Sequence, residues 1–255
     1  MNNEYIVRAC LELIKAFESG DLGQTEMPEN ANPFGSVIPV KAEESLGYFT
    51  LPMALNYQRN SYELWKSALR TWQDSGTRDV FDVRKASEMN EQALRQRLVK
   101  YKLALQPNKH IATWQTIART VFINWGSFEN MLISAGYDYL KLKNIIQKEF
   151  KKGFPYLSGP KIFNYWCYIL ILYCGVKLEN AEYIDIAPDT HITKCSVRLG
   201  VITEQEAVTL TKEQISACWR EILDGSGINP IDMHAPLWFW SRNGFLYNIK
   251  KGEGE

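Results

Sequence analysis

Apolar residues along most of this chain recur every three or four positions, which is the spacing that places them on one face of an α-helix. The same periodicity predicts helices at about 60–74, 86–104, 111–124, 127–136 and 140–152. Near the start, segment 4–19 carries its apolar side chains on one stripe, formed by Ile6, Cys10, Leu13, Ile14 and Phe17. Alternating strand patterns extend over no more than a few residues. We therefore expect an all-α fold.

Loops and helix ends are marked by glycine, proline and capping residues. The stretch from Gly20 to Pro39 is rich in Gly, Pro and Asn and predicts a long loop. Lys161–Cys174 is strongly apolar, follows Pro160 and ends at Gly175. Its fourteen residues are too few to cross a bilayer, so this segment predicts a buried helix.

The last third of the chain has clear helix starts. Pro188-Asp189-Thr190 predicts a start and Gly200 an end. Two capping boxes then pair Thr203 with Glu206 and Thr211 with Gln214. Residues 181–187 read as irregular and 224–236 as turn-rich, with an aromatic cluster and a basic tail following.

Composition points to a globular intracellular protein with no metal site. The 255 residues are 45% hydrophobic, with 29 basic and 29 acidic side chains, and show no apolar run long enough to span a membrane. The five cysteines are scattered without close pairing, which argues against a zinc, redox or iron–sulfur site. His110 and His234 have no partner at metal-ligand spacing.

Because the net charge is zero, contact with nucleic acid would depend on a local patch. Between Lys141 and Lys161 the chain has six lysines against one acid, Glu149. A solvated helix face explains this run equally well.

Two short segments carry the candidate chemistry. The first, Leu157-Ser158-Gly159-Pro160-Lys161, is a tight turn before the buried helix. Such a turn between helices leaves backbone N–H groups free to bind a phosphate. The second is Asp189-Thr190-His191, with Arg198-Leu199-Gly200 at the end of the same predicted helix.

The second segment resembles the signature helix of the helix-hairpin-helix DNA glycosylase superfamily, roughly DTHVxRVxxRLG. Ile192 is a conservative variant, Lys194 stands where arginine is usual, and Cys195 replaces an aliphatic residue. The identical positions are Asp189, Thr190, His191, Arg198, Leu199 and Gly200.

The first segment is similar to the superfamily hairpin LPGVGxK. Gly159 and Lys161 match, whereas Leu157 stands at the position of the first glycine. Chain length, the abbreviated hairpin and the missing cluster cysteines are most similar to the archaeal-type 8-oxoguanine glycosylases.

The resemblance implies a base-excision enzyme that removes a damaged purine from double-stranded DNA and then cuts the strand. Lys161 would attack C1′ and form a Schiff base, and burial beside Ile162 and Trp166 would favour its unprotonated form. Asp189 would stabilise the positive charge that develops on the sugar. Backbone contacts fall to Leu157, Ser158, Gly159, His191 and Lys194, and candidate walls for the extruded base are Tyr165, Trp166, Trp238, Phe239 and Trp240.

The implied architecture is a single glycosylase unit over 1–255, made of two helical subdomains with an active-site cleft between them. Residues 40–175, with the hairpin at 154–161, would form one subdomain, and 1–39 plus 176–255 the other. We expect a monomer without metal or cofactor.

Each residue also has a purely structural explanation. Asp189 is a good N-cap without any chemistry, a lysine in a first helical turn is usually a surface residue, and His191 fits an ordinary polar surface position. Tryptophans mostly pack in cores. Two other functions therefore stay open, a hydrolase of a modified nucleoside or nucleotide and a non-catalytic DNA-binding protein.

Overall fold

The computed structural model describes residues 3–35 and 43–250 and confirms the all-α prediction, since these residues form thirteen α-helices and no strand. The nearest approach to a sheet is one isolated parallel bridge between Asp138 and Glu179. The helices are α1 (Asn3–Ser19), α2 (Glu43–Thr50), α3 (Ser61–Gln73), α4 (Val83–Glu88), α5 (Glu91–Lys100), α6 (Pro107–Trp125), α7 (Phe128–Ser134), α8 (Tyr139–Asn144), α9 (Pro160–Cys174), α10 (Thr190–Leu199), α11 (Glu204–Thr209), α12 (Lys212–Leu223) and α13 (His234–Arg242).

The chain divides into two compact units. The split unit combines Met1–Glu26 with Glu182–Glu255, and the continuous unit is Met27–Ala181. In the split unit, α1 packs against α12 and α13, and α10 packs against α13. Within the described ranges, no helix is both long enough and apolar enough to cross a bilayer.

The core of the continuous unit forms around α9, which is buried along most of its length. Its polar side chains inside the core are paired. The hydroxyl of Tyr139 donates to Asn164 Oδ1 at 2.7 Å, and the indole N–H of Trp166 donates to Thr50 Oγ1 at 2.9 Å. These bonds offset the cost of burying polar groups and fix the rotation of α9.

Two predicted helices are wrong in extent. The segment 86–104 is broken at Asn90, whose side chain accepts the N–H of Ala93 and starts α5 as a separate helix. The segment 140–152 is α-helical only to Asn144 and continues as the π-helical turn Ile145–Glu149 and the 3₁₀ turn Lys151–Gly153. The first segment is divided by a side-chain cap, and the second leaves the α-helix because its hydrogen-bond register changes. The spacing of apolar residues indicates neither event.

Candidate active site

Asp189 is the N-cap of α10 in the split unit. Its Oδ1 accepts the N–H of Ile192 at 2.9 Å, and its Oδ2 accepts the indole N–H of Trp238 at 3.0 Å. The two donors come from different helices, α10 and α13, and fix the plane of the carboxyl group. The half-buried side chain is therefore held in one orientation.

Trp238 and His191 surround this carboxyl group. The ring of His191 meets Trp238 edge to face at 5.4 Å, and its Nδ1 lies 3.0 Å from the hydroxyl of Ser241. Partial burial lowers the pKa of His191, against the opposing effect of Asp189. The guanidinium of Arg242 lies over the ring of Trp238, 4.9 Å from the ring centroid.

The neighbouring aromatics of α13 are core residues. Phe239 is buried and stacks on Phe17 at 5.8 Å, and Trp240 is buried and donates to the carbonyl of Tyr247 at 2.9 Å. Neither ring has a face left for a base, so these two suggested walls are corrected to packing residues. Lys194, proposed to contact the DNA backbone, is exposed on α10.

The hairpin before α9 is closed by its own main chain. The N–H groups of Leu157, Ser158 and Gly159 donate to the carbonyls of Pro155, Phe154 and Tyr156 at 2.7, 2.9 and 3.0 Å. They are therefore not the free donors that we expected for a phosphate. No described side chain caps α9, so the N–H groups of its first turn are the donors that the turn leaves for an anion.

The turn before α9 has its left-handed residue at a tyrosine and not at a glycine. The left-handed residue of this turn is Tyr156, with φ of 60°, while Leu157 is buried. A Cβ on Gly159 would lie 3.1 Å from the carbonyl oxygen of Tyr156. The turn thus leaves little room for a side chain at 159 and has its left-handed position at Tyr156.

Lys161 lies in the first turn of α9 and is exposed. The burial that we expected around its ammonium group is absent. Tyr165 follows four residues later, so both side chains lie on one face of the helix. Tyr165 is half-buried, whereas Trp166, on another face, is buried in the core and is corrected to a packing residue.

The hydroxyl of Tyr165 contacts Glu29, a residue that the sequence analysis did not identify. It donates to Glu29 Oε1 at 3.1 Å, and the indole N–H of Trp65 donates to the same oxygen at 2.8 Å. Glu29 is 0% exposed, and its Oε2 has no hydrogen-bond partner among the described residues. A buried carboxyl oxygen without a partner is costly.

Burial raises the pKa of Glu29 to about 7, and the hydrogen bonds from Tyr165 and Trp65 oppose the shift only in part. Two tyrosine hydroxyls hold the residues that follow Glu29 at the end of its 3₁₀ turn, Pro28–Asn30. Tyr173 donates to Asn30 Oδ1 at 2.6 Å, and Tyr48 donates to the carbonyl of Ala31 at 2.8 Å. Glu29 is thus a buried carboxyl group with a raised pKa, and its neighbours in hydrogen-bond contact are aromatic side chains.

The predicted site residues therefore fall in two groups. Lys161, the hairpin, Tyr165 and Trp166 belong to the continuous unit, and Asp189, His191, Lys194 and the α13 aromatics to the split unit. Glu29 and Trp65 join the first group. In the described ranges, no three His, Cys, Asp or Glu side chains are placed to hold a metal ion.

No protein-family model matches this chain, and no curated protein matches it either.

Proposed function

We propose that this chain is an intracellular DNA glycosylase that removes an oxidised purine, 8-oxoguanine first, from double-stranded DNA and then cuts the strand. The proposal draws on the motif around Asp189, on the placement of Lys161, and on Glu29. The unpartnered oxygen of Glu29 carries the choice of base.

Oxidation of guanine to 8-oxoguanine converts N7 from a hydrogen-bond acceptor into an N–H donor. A carboxylate oxygen accepts hydrogen bonds only. When Glu29 is ionised, Oε2 would accept that N7–H from 8-oxoguanine, whereas guanine would present a lone pair to it. Below the raised pKa of about 7 the protonated carboxyl group would donate instead, so we expect this discrimination only above neutral pH. Sites built around one buried hydrogen bond discriminate strongly, because the wrong ligand leaves the polar group unpaired.

One face of α9 carries both Lys161, the proposed nucleophile, and Tyr165, whose hydroxyl contacts Glu29. Lys161 is exposed, Tyr165 is half-buried, and Glu29, bonded to Tyr165, is fully buried. A base that passes Lys161 toward Glu29 would bring its sugar close to the lysine amine. Tyr165 is then the candidate wall, because it follows Lys161 by one helical turn and its hydroxyl contacts Glu29.

The reaction has two steps. The amine of Lys161, once it has released its ammonium proton to water, attacks C1′ as the C1′–N9 bond breaks. The base leaves with the bonding electrons and takes up the proton that the newly formed C1′-bound ammonium group gives off. The sugar ring then opens to a Schiff base, loss of a C2′ proton follows, and the 3′ phosphate departs by β-elimination. The carboxylate of Asp189 stabilises the positive charge on the sugar during the first step.

The test is incubation of the purified chain with duplexes that each contain one lesion, with borohydride added to reduce any Schiff base. We expect release of 8-oxoguanine, no release of guanine, and a covalent protein–DNA adduct. Lys161→Gln should abolish the adduct, whereas Lys177→Gln, at an exposed lysine of the same unit, should leave it unchanged.

Other outcomes identify the other functions. Base release that persists in Lys161→Gln without an adduct means an enzyme that does not cut the strand. Activity confined to free nucleosides or nucleotides indicates the hydrolase. Duplex binding that ignores lesions, falls steeply with salt and produces no base release indicates a DNA-binding protein.

A further inference from the structure

Two tryptophans of α13 use their indole N–H groups differently. Trp240 donates to the main-chain carbonyl of Tyr247 at 2.9 Å, which is an ordinary structural contact. Trp238 donates to the carboxyl group of Asp189, at the start of α10 and 49 positions earlier in the chain. The half-buried ring of Trp238 thus makes a polar contact with the residue that we expect to stabilise the sugar cation.

The capping bond of Asp189 does not fix its carboxyl group by itself. The last torsion of an aspartate side chain is broad, so a carboxyl group that is held at Oδ1 by the N–H of Ile192 can still turn. The indole N–H of Trp238 restrains the other oxygen, Oδ2, at 3.0 Å. A charge that is already oriented stabilises a transition state without reorganising during the reaction. This second bond therefore bears on the rate of the chemical step.

The ring of Trp238 is itself held by neighbouring side chains. The ring centroids of His191 and Phe239 lie 5.4 and 5.0 Å away in edge contacts, and the guanidinium carbon of Arg242 lies over the ring at 4.9 Å. His191 is tied in turn to the hydroxyl of Ser241 at 3.0 Å. The indole N–H is thus directed steadily at Asp189, and a base that stacked on the same ring face would have to displace Arg242.

Both hydrogen-bond donors to Asp189 are uncharged groups, a backbone N–H and an indole N–H. A lysine or arginine at the same oxygens would compete with the developing sugar cation for the negative charge. The uncharged donors orient the carboxylate and leave that charge in place. Arg242 acts on the indole ring, and a cation over the ring makes its N–H a stronger donor. This arrangement fits a carboxylate that works through its charge.

We propose that Trp238 is a positioning residue, which directs the carboxylate of Asp189 at the sugar and does not form a wall of the base pocket. This inference rests on the proposed function, because an oriented charge matters only where a cation develops. Removal of the indole N–H leaves the cap and the charge of Asp189 in place. The loss should therefore appear in the rate of base release and not in the binding of DNA.

The experiment measures single-turnover release of 8-oxoguanine from a duplex with one lesion, over a range of enzyme concentrations. Trp238→Phe keeps an aromatic ring and removes the N–H. Its maximal rate should fall about 10- to 150-fold, as expected for one lost hydrogen bond to a charged group. Its half-saturating concentration should stay within about threefold of wild type. A wall of the base pocket would retain most of its rate with phenylalanine.

A second substitution separates the N–H group from the shape of the ring. In benzothienylalanine, introduced at position 238 by codon suppression, sulfur replaces the indole N–H and both fused rings remain. This protein should release the base as slowly as Trp238→Phe, with a thermal unfolding midpoint close to wild type. The loss of rate would then belong to the hydrogen bond and not to packing.

A double-mutant cycle tests whether Trp238 acts through Asp189. In Asp189→Asn the charge that Trp238 orients is absent, so adding Trp238→Phe should lower the rate by less than about twofold further. Trp219→Phe is the matched control, because it removes a buried indole N–H of the same unit that donates to Ser196 Oγ at 2.8 Å. It should lower the unfolding midpoint and leave the rate of the folded protein unchanged.

The proposal is overturned if the benzothienylalanine protein keeps the wild-type rate, or if the variants raise the half-saturating concentration instead of lowering the rate. Additive losses in the double-mutant cycle also overturn it, as does an equal loss of rate in Trp219→Phe. A wild type that releases no base contradicts the proposed function as well. Normal release by the wild type together with undiminished release by the position 238 variants contradicts only the role of Trp238.

Discussion

The carboxyl group of Asp189 serves α10 through one oxygen and Trp238 through the other. The first contact is an ordinary N-cap. The second is specific to this position and fixes the direction in which the charge faces. Capping and the proposed catalytic role can be separated experimentally, because asparagine caps helices about as well as aspartate.

The matched residue is Asp138, the N-cap of α8. Its carboxyl group also accepts one backbone N–H, from Lys141 at 2.9 Å, and one side-chain donor, from Asn180 at 2.7 Å. Base release should fall at least about 100-fold in Asp189→Asn, since the variant loses electrostatic stabilisation of the sugar cation. Asp138→Asn should stay within about twofold of wild type in single-turnover assays. Similar activity in the two variants would remove Asp189 from the mechanism.

Glu29 gives a second test at the same scale, on stability. The folded protein retains the carboxyl proton up to about pH 7, whereas an unfolded chain releases it near 4.3. Ionisation therefore lowers stability progressively as the pH rises between those values, and the full cost is present above them.

Glu29→Gln removes the ionisation and keeps an acceptor for Trp65 and Tyr165. We expect this variant to be more stable than wild type at pH 8, by up to about 3 kcal/mol, and the gain to vanish near pH 4.5. Thermal unfolding at both pH values measures it. Glu18→Gln, at an exposed glutamate, should show the same small difference at each pH. A gain that is independent of pH would mean that burial does not perturb this carboxyl group.

Single residues differ in how well the sequence predicts their structural position. Asp189 follows Pro188 and precedes a periodic helix, so its capping position was predictable. Glu29 lies in a Gly/Pro/Asn-rich loop, and its burial depends on partners 36 and 136 positions away, Trp65 and Tyr165. No local pattern encodes such contacts.

Among the elements, α2 shows why the spacing of apolar residues can fail to predict a helix. Every residue of α2 from Ser45 to Thr50 is buried, so the helix has no polar face to alternate with an apolar one. It also contains Gly47, which lowers helix propensity. The same burial explains why α13, buried from His234 to Leu237, was assigned to turns and an aromatic cluster.

Gly47 is required by packing. A Cβ at this position would lie 2.3 Å from the main-chain oxygen of Phe81. Gly47→Ala should therefore destabilise the protein by about 1–3 kcal/mol through overpacking, although alanine is the better helix former. Glu44→Ala, at the exposed start of α2, should have little effect. Chemical denaturation compares them, and a neutral or stabilising Gly47→Ala would show that α2 can shift away from Phe81.

For the molecule as a whole, zero net charge means that any attraction to DNA is local. Five of the six lysines in the run that the sequence singled out are exposed, namely Lys141, Lys148, Lys151, Lys152 and Lys161. The sixth, Lys143, lies over the ring of Tyr139 at 5.5 Å. The sequence shows that these lysines are close together along the chain. Their exposure depends on the two turns that follow α8.

The triple variant Lys148→Gln, Lys151→Gln, Lys152→Gln should bind undamaged duplex more weakly, because it releases fewer counterions. Its slope of log affinity against log salt should be less steep than wild type by up to about three. A variant with Lys15→Gln, Lys66→Gln and Lys177→Gln loses the same charge elsewhere and should keep the wild-type slope. Equal slopes in both variants would mean that the run is an ordinary solvated face.

Because the split unit combines the first and last parts of the chain, its helices are synthesised at different times. Its first helix, α1, packs on α12 and α13, which are translated only after the continuous unit. At 5–20 residues per second, α1 waits about 10–40 s for its partners. We expect the continuous unit to fold during this interval, while the apolar stripe of α1 stays uncovered on the nascent chain and offers a binding site to chaperones.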